Sequence, residues 1–187
     1  MTTVVGVDYS LTSPAICIHR GDEWHVRNCQ FYFLTDRPKL EGRNLQFNGM
    51  LKPLHTCEEQ RHDQLSQWAF DLISASNPSR VVIEGYAFGA AGRVFNLAEN
   101  CGLLKHKLWK NKIHFDVAAP TTIKKFATGK GNANKEKMQE AFIAETGVDV
   151  KNIMSLSEKQ WNPSSDIIDA YFLAKYSHAL QQTGEVP

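Results

Sequence analysis

The chain has 187 residues, 42% of them hydrophobic, which is enough to bury one substantial core. A net charge of +1 and an isoelectric point near 7.7 exclude a uniformly basic protein that coats polyanions. The N-terminus lacks the basic and apolar regions of a signal peptide, and no apolar run approaches membrane-spanning length.

Residues 3–8, ending Val4-Val5-Gly6-Val7-Asp8, and residues 14–19 read as two strands of a hairpin. The polar turn Tyr9-Ser10-Leu11-Thr12-Ser13 joins them. A third strand is expected at 24–34, where Trp24, Val26, Phe31 and Phe33 partly alternate with polar residues. Residues 35–57 hold Pro38, Gly42, Gly49 and Pro53 among mixed charges without a period, and read as a loop or insertion. His55 and His62 flank that stretch without a matching ligand pair and read as surface residues.

From Glu58 to Ser76, Leu65, Trp68, Ala69, Leu72 and Ile73 recur at helical spacing until Asn77-Pro78 stops the run. A strand over 81–84 ends at Glu84. The pattern predicts a helix over 93–110, with Val94, Leu97, Cys101, Leu104 and Leu108 on one face, either a core face or an interface. Phe115 to Ala118 form a short strand ended by Pro120. A short helix opens at Thr121 or Thr122, a longer one spans Asn134 to Thr146, and the last runs from about Ser164 to Gln181. This order predicts a single α/β domain: a mixed five-stranded sheet, its first three strands antiparallel, with helices on both faces. Cys17, Cys29, Cys57 and Cys101 have no CxxC spacing and read as reduced thiols of a cytoplasmic protein, with Cys17 and Cys101 in the core.

Four carboxylates carry the chemistry. Asp8 and Glu84 end separate apolar strands, while Asp166 and Asp169 lie three apart near the start of a helix and share one of its faces. Asp8 or Glu84 alone is read equally well as the polar end of a strand. The four together point to one site, because buried carboxylates repel unless a cation holds them. Hydrolysis of a phosphodiester needs an activated water and a sheltered leaving oxygen, which two divalent cations supply; hard oxygen ligands suit Mg2+, with Mn2+ as a substitute. Between Lys105 and Lys137 lie nine lysines against Asp116 and Glu136. That strip either focuses a phosphate backbone or forms solvated helix faces. Within it, Gly129-Lys130-Gly131-Asn132-Ala133-Asn134-Lys135 could turn tightly against a phosphate, although it lacks the Walker ending.

The ordered set of motifs resembles the RuvC-type Holliday junction resolvases, especially the compact phage forms. Gly6-Val7-Asp8-Tyr9-Ser10-Leu11-Thr12-Ser13 resembles the family's opening, with Tyr9 where the family has proline. Val82-Ile83-Glu84 matches the strand with the second acid. Pro120 to Lys125 followed by Gly129-x-Gly131-x-Ala133-x-Lys135 resembles its basic segment, and Asp166-x-x-Asp169-Ala170 its closing helix. The resemblance implies a ribonuclease H-like fold, a homodimer in a bacterial or phage-infected cell, and paired nicks across four-way DNA junctions. It assigns Asp8, Glu84, Asp166 and Asp169 to two metal ions, and Lys124 and Lys135 to the region of the scissile phosphate. Lys125 and Lys130 join them as candidate DNA contacts. Tyr86 and Phe88 straddle the position where the family stacks an aromatic on a base, and packing against a neighbouring helix explains them equally well.

Two other readings belong to different classes. A non-catalytic branched-DNA binding module on the same fold would gain nothing from four acids beside a polyanion. An actin-like kinase or ATPase needs two related domains, and the chain is too short for both.

Overall fold

A computed structural model describes residues 2–85 and 94–184. Its centre is β1 (Thr3–Asp8), where all six residues are buried because helices cover both faces of the sheet. Around it the described strands form a seven-stranded sheet in the order β4-β5-β3-β2-β1-β6-β7. These are β2 (Ala15–Arg20), β3 (Cys29–Thr35), β4 (Gly42–Asn44), β5 (Phe47–Leu51), β6 (Arg80–Glu84) and β7 (Phe115–Ala118). β1, β2 and β3 are successively antiparallel, as expected. β6 pairs parallel with β1, and β7 parallel with β6.

Two of the seven strands correct the sequence reading. Residues 35–57 are not a structureless loop: they hold a 3-10 turn at Pro38–Leu40 and the hairpin β4–β5, with β5 parallel to β3. The hairpin is too short to show a clean alternation, so periodicity missed it. The third strand also starts late, at Cys29. Trp24 instead stacks on His19 (ring centroids 4.4 Å apart) and donates its indole N–H to the Tyr171 hydroxyl at 2.9 Å. His25 then caps a 3-10 turn over Val26–Asn28.

The helices fall at the expected positions: α1 (Glu58–Ser76), α2 (Val94–Lys110), α3 (Pro120–Thr128), α4 (Lys135–Thr146) and α6 (Ser164–Thr183), with an additional single turn, α5 (Val150–Ile153). α1 and α2 cover one face, where Leu65, Ala69, Ile73, Cys101, Leu104 and Leu108 pack on Val5, Val7, Ile16 and Ile83. On the other face α6, α3 and α4 pack through Ile123, Phe142, Ile167, Tyr171 and Leu173. The apolar face of α2 is thus a core face, not an interface. Cys17, Cys29 and Cys101 are buried free thiols, and Cys57 is exposed. His62 is buried and lies 3.6 Å from Glu58, contrary to the surface position expected, while His55 is exposed. None of the described helices is long and apolar enough to cross a membrane.

Gly6 sets the distance between α6 and the sheet. A Cβ at this position would lie 2.1 Å from the Ala174 amide nitrogen and 2.3 Å from the Ala170 carbonyl oxygen. Both are backbone atoms, so no side-chain rotation relieves the clash. Gly6→Ala is therefore expected to destabilise the fold by about 3 kcal/mol or more, at the upper end of overpacking costs. A denaturant midpoint close to that of the wild type would refute this close contact.

Candidate active site

Strand parity puts Asp8 on the same face of β1 as Gly6, the face that α6 covers. Glu84 shares that face on β6. The parallel register ends at Val7 opposite Ile83, and one step further sets Asp8 beside Glu84. α6 runs antiparallel to β1, with Ala170 and Ala174 over Gly6, so its first turns lie above the end of β1. Asp166 and Asp169 on those turns join the two strand-end acids. Ser177, further along α6, donates to the Arg80 carbonyl at the opposite end of β6.

Asp8 and Asp166 are buried, and Glu84 and Asp169 are partly open to a cleft of about 350 Å3. Tyr9, Leu97 and Lys124 also line that cleft. A larger hollow of about 510 Å3 beside Trp24, Arg27 and Phe47 contains none of these four acids, so size alone does not locate the chemistry.

The electrostatics record the crowding. Burial, then the charges of Glu84, Asp166 and Asp169, hold the Asp8 carboxyl well above the usual carboxylate range, with Lys135 opposing. Burial pushes Glu84 up to about 7 against the pull of Lys124. Asp166 rises to about 6 through burial, restrained by a hydrogen bond with Ser13 and by Lys135. Asp169 rises to about 8 through burial and through Glu84 and Asp166, with Lys124 and Lys135 opposing.

Lys124 and Lys135 are the cations that act on these acids. The Lys135 ammonium donates to Ser165 Oγ at 3.3 Å and Asn162 Oδ1 at 3.5 Å, which holds it beside α6. Lys125 and Lys130 are exposed and are not among the groups that shift the acids. The glycine-lysine stretch is the connector between two helices: Gly129 (φ +78°) closes α3, and Asn134 caps α4 by accepting from the Lys137 amide at 3.0 Å. Tyr86 and Phe88 lie outside the described residues.

The sequence reading missed the supporting polar groups. Ser13 bonds Asp166, and Asn162 with Ser165 holds Lys135. The Tyr9 hydroxyl donates to the buried Asn100 Oδ1 on α2 at 3.0 Å, so the residue after Asp8 is tied across to that helix. The hydroxyl-rich turn was a visible signal for Ser13. Nothing in the local pattern pointed to Asn100 or Asn162.

Carboxylate oxygens are the donor set that magnesium or manganese prefers. Asp166 Oδ2 is buried without a hydrogen-bond partner, an atom that a cation would satisfy. Among the described residues no group of three or more Asp, Glu, His or Cys side chains is gathered, as it stands, into a set that could hold a metal ion. Four uncompensated carboxylates repel one another, and a bound ion would draw them together.

No protein-family model matches the chain, and no characterised protein matches it by sequence. Solved structures do match. A Thermus thermophilus RuvC structure aligns at TM-score 0.62 and 16% identity, covering 98% of this chain and 97% of that one. T. thermophilus RuvC in complex with a Holliday junction substrate aligns at 0.63 and 14% identity, covering 97% and 96%. The yeast mitochondrial Holliday junction resolvase Ydc2 aligns at 0.55 and 15% identity, covering 97% of this chain and 79% of that one. The chain has the ribonuclease H-like fold of RuvC-type resolvases.

Because the folded-state values of the four acids are raised, the stability they favour is complete below about pH 4 and is lost as the pH rises through about 6 to 8. Asp169→Asn removes one charge from the cluster. It is expected to stabilise the metal-free protein at pH 8 by about 2 kcal/mol or more, with the gain shrinking as the pH falls and gone only below about pH 4. Thermal unfolding in a chelator across this range measures it. A variant no more stable than wild type at pH 8 would contradict the mutual repulsion.

Proposed function

We propose that this protein is a magnesium-dependent, structure-selective endonuclease that resolves Holliday junctions, and other branched DNA, by paired symmetrical nicks. The observation that carries the reading is the convergence of Asp8, Glu84, Asp166 and Asp169 from three separate parts of the chain at one strand end. The similarity of the whole fold to Holliday junction resolvases supports it.

Asp8, beside Glu84 and the start of α6, would hold the ions together with Glu84, Asp166 and Asp169. Two such ions, when bound, activate a water and shelter the leaving oxygen of the phosphodiester. Lys124 and Lys135 offset the charge of the acids and would meet an incoming phosphate there. Lys125 and Lys130 lie exposed on the same α3–α4 side, available to the DNA backbone. A non-catalytic binding module does not need four carboxylates buried at mutual cost.

Paired nicks on a roughly two-fold substrate call for a two-fold enzyme. The outer face of α2 supports such a homodimer: Phe95, Gly102, His106 and Trp109 recur at helical spacing, with Phe95 73% and Trp109 71% exposed. Trp109→Lys is expected to shift the species in solution from twice the 21.1 kDa chain mass to the monomer. A wild type that stays at monomer mass with junction DNA present would remove the dimer.

A labelled four-way junction and a linear duplex of matching sequence test the chemistry. Symmetrical nicks are expected on the junction alone, and only with magnesium or manganese. Asp8→Asn should abolish cutting and keep junction binding, because binding rests on the lysines. Cutting by Asp8→Asn near the wild-type rate would refute the metal assignment.

A further inference from the structure

The segment 35–57 extends the sheet away from the cleft, yet its last strand ends at the cleft's edge. β3 runs parallel to β1, because each is antiparallel to β2, and β5 runs parallel to β3. The C-terminal ends of β1, β3, β5 and β6 therefore share one edge of the sheet. Lys52 follows the last paired residues, Thr35 and Leu51, and its amide continues the ladder onto the Thr35 carbonyl at 3.0 Å.

From there the Lys52 ammonium donates to the Thr12 carbonyl at 2.9 Å, and Asp36 holds it in an ion pair at 2.5 Å. Arg61, on α1, donates to the preceding carbonyl, that of Leu11, at 2.7 Å, and pairs with Glu58 at 3.3 Å. Two cations from different elements thus hold consecutive carbonyls of the turn after Asp8. Hydrogen bonds from charged donors are the stronger kind. The Thr12 carbonyl and the Ser13 amide belong to one planar peptide unit. Lys52 fixes one side of that unit. Ser10 Oγ, accepting from the Ser13 amide at 2.9 Å, fixes the other. Ser13 in turn lies beside the Asp166 carboxyl.

We infer that the segment 35–57 is a brace for the active site, in which Lys52, with Arg61, clamps the turn Tyr9–Ser13 and so positions Asp8 and Asp166. Lys52 and Arg61 are positioning residues, and their charges are spent on the turn and on their acidic partners, not on DNA. The inference rests on the nuclease reading of the four carboxylates.

Its test uses Lys52→Met, with Lys52→Arg as the variant that keeps a charged donor. Hydrogen exchange in metal-free protein reads the clamp itself: amides of residues 9–13 should exchange about tenfold faster in Lys52→Met, with the rest of the sheet unchanged. Single-turnover cleavage of a four-way junction, below the melting temperature of each variant, should slow about tenfold. More magnesium should be needed for half-maximal rate, at unchanged junction affinity. Lys52→Arg should restore both the exchange pattern and the rate. Unchanged exchange in the turn overturns the clamp. Faster exchange with unchanged cleavage and magnesium dependence overturns the positioning role. A wild type that cuts no branched DNA with either metal overturns the nuclease reading, and the positioning role falls with it, while the exchange data still report on the clamp.

Discussion

The backbone-to-backbone approach of α6 onto β1 across Gly6 is the contact on which the rest of the structure depends. Without a side chain at that position, the helix lies directly on the central strand. Its first two turns then hang over the strand end, where Asp8 emerges. Any larger residue would lift α6 and carry Asp166 and Asp169 away from Asp8 and Glu84. The parallel pairing of β1 with β6 supplies the other half of the arrangement, because it brings two strand-end acids to the same edge.

That arrangement sets stability against chemistry. Carboxylates held together raise proton affinity within the cluster, and among the described residues the cations that oppose the effect are Lys124 and Lys135. An apolar or amide substitution at these positions would relieve the strain. Their retention together fits a site built for a divalent cation and a phosphate, which supply the missing counter-charge and the missing reactant. Around them lies a second layer of polar groups that fixes orientation: Ser13 on Asp166, Asn162 and Ser165 on Lys135, and Asn100 on Tyr9. Catalytic geometry depends on such layers, since side chains with free rotamers cannot hold a reactive geometry.

The β4–β5 hairpin lengthens the sheet at one edge without disturbing this centre. β5 adds to the sheet beyond β3, far from β1 in strand order, and its direction still returns the chain to the edge that carries the acids. Edge addition leaves the central register intact. It also gives Lys52 a reach to the turn after Asp8 that no residue of the central strands has.

The sequence by itself determined the fold class, the positions of five helices and the central strands, and it singled out the four acids as candidates. It did so because long periodic runs, apolar strands ending in acids and stop signals such as Asn77-Pro78 are local properties of the chain. Lys124 and Lys135 were also legible, through the ordered motif that contains them. Tertiary structure alone decided that the apolar face of α2 is buried, that His62 is inside, that Lys125 and Lys130 stand apart from the acids, and that residues 35–57 form part of the sheet. It also decided the partners of Ser13, Tyr9, Lys135 and Lys52. The bonds reach across 30 to 91 residues of chain in the pairs Lys135–Ser165, Lys52–Thr12 and Tyr9–Asn100. A residue's periodicity reports which side of its own element faces the core, but not which distant element lies opposite. That depends on strand direction and helix packing, which exist only once the chain has folded.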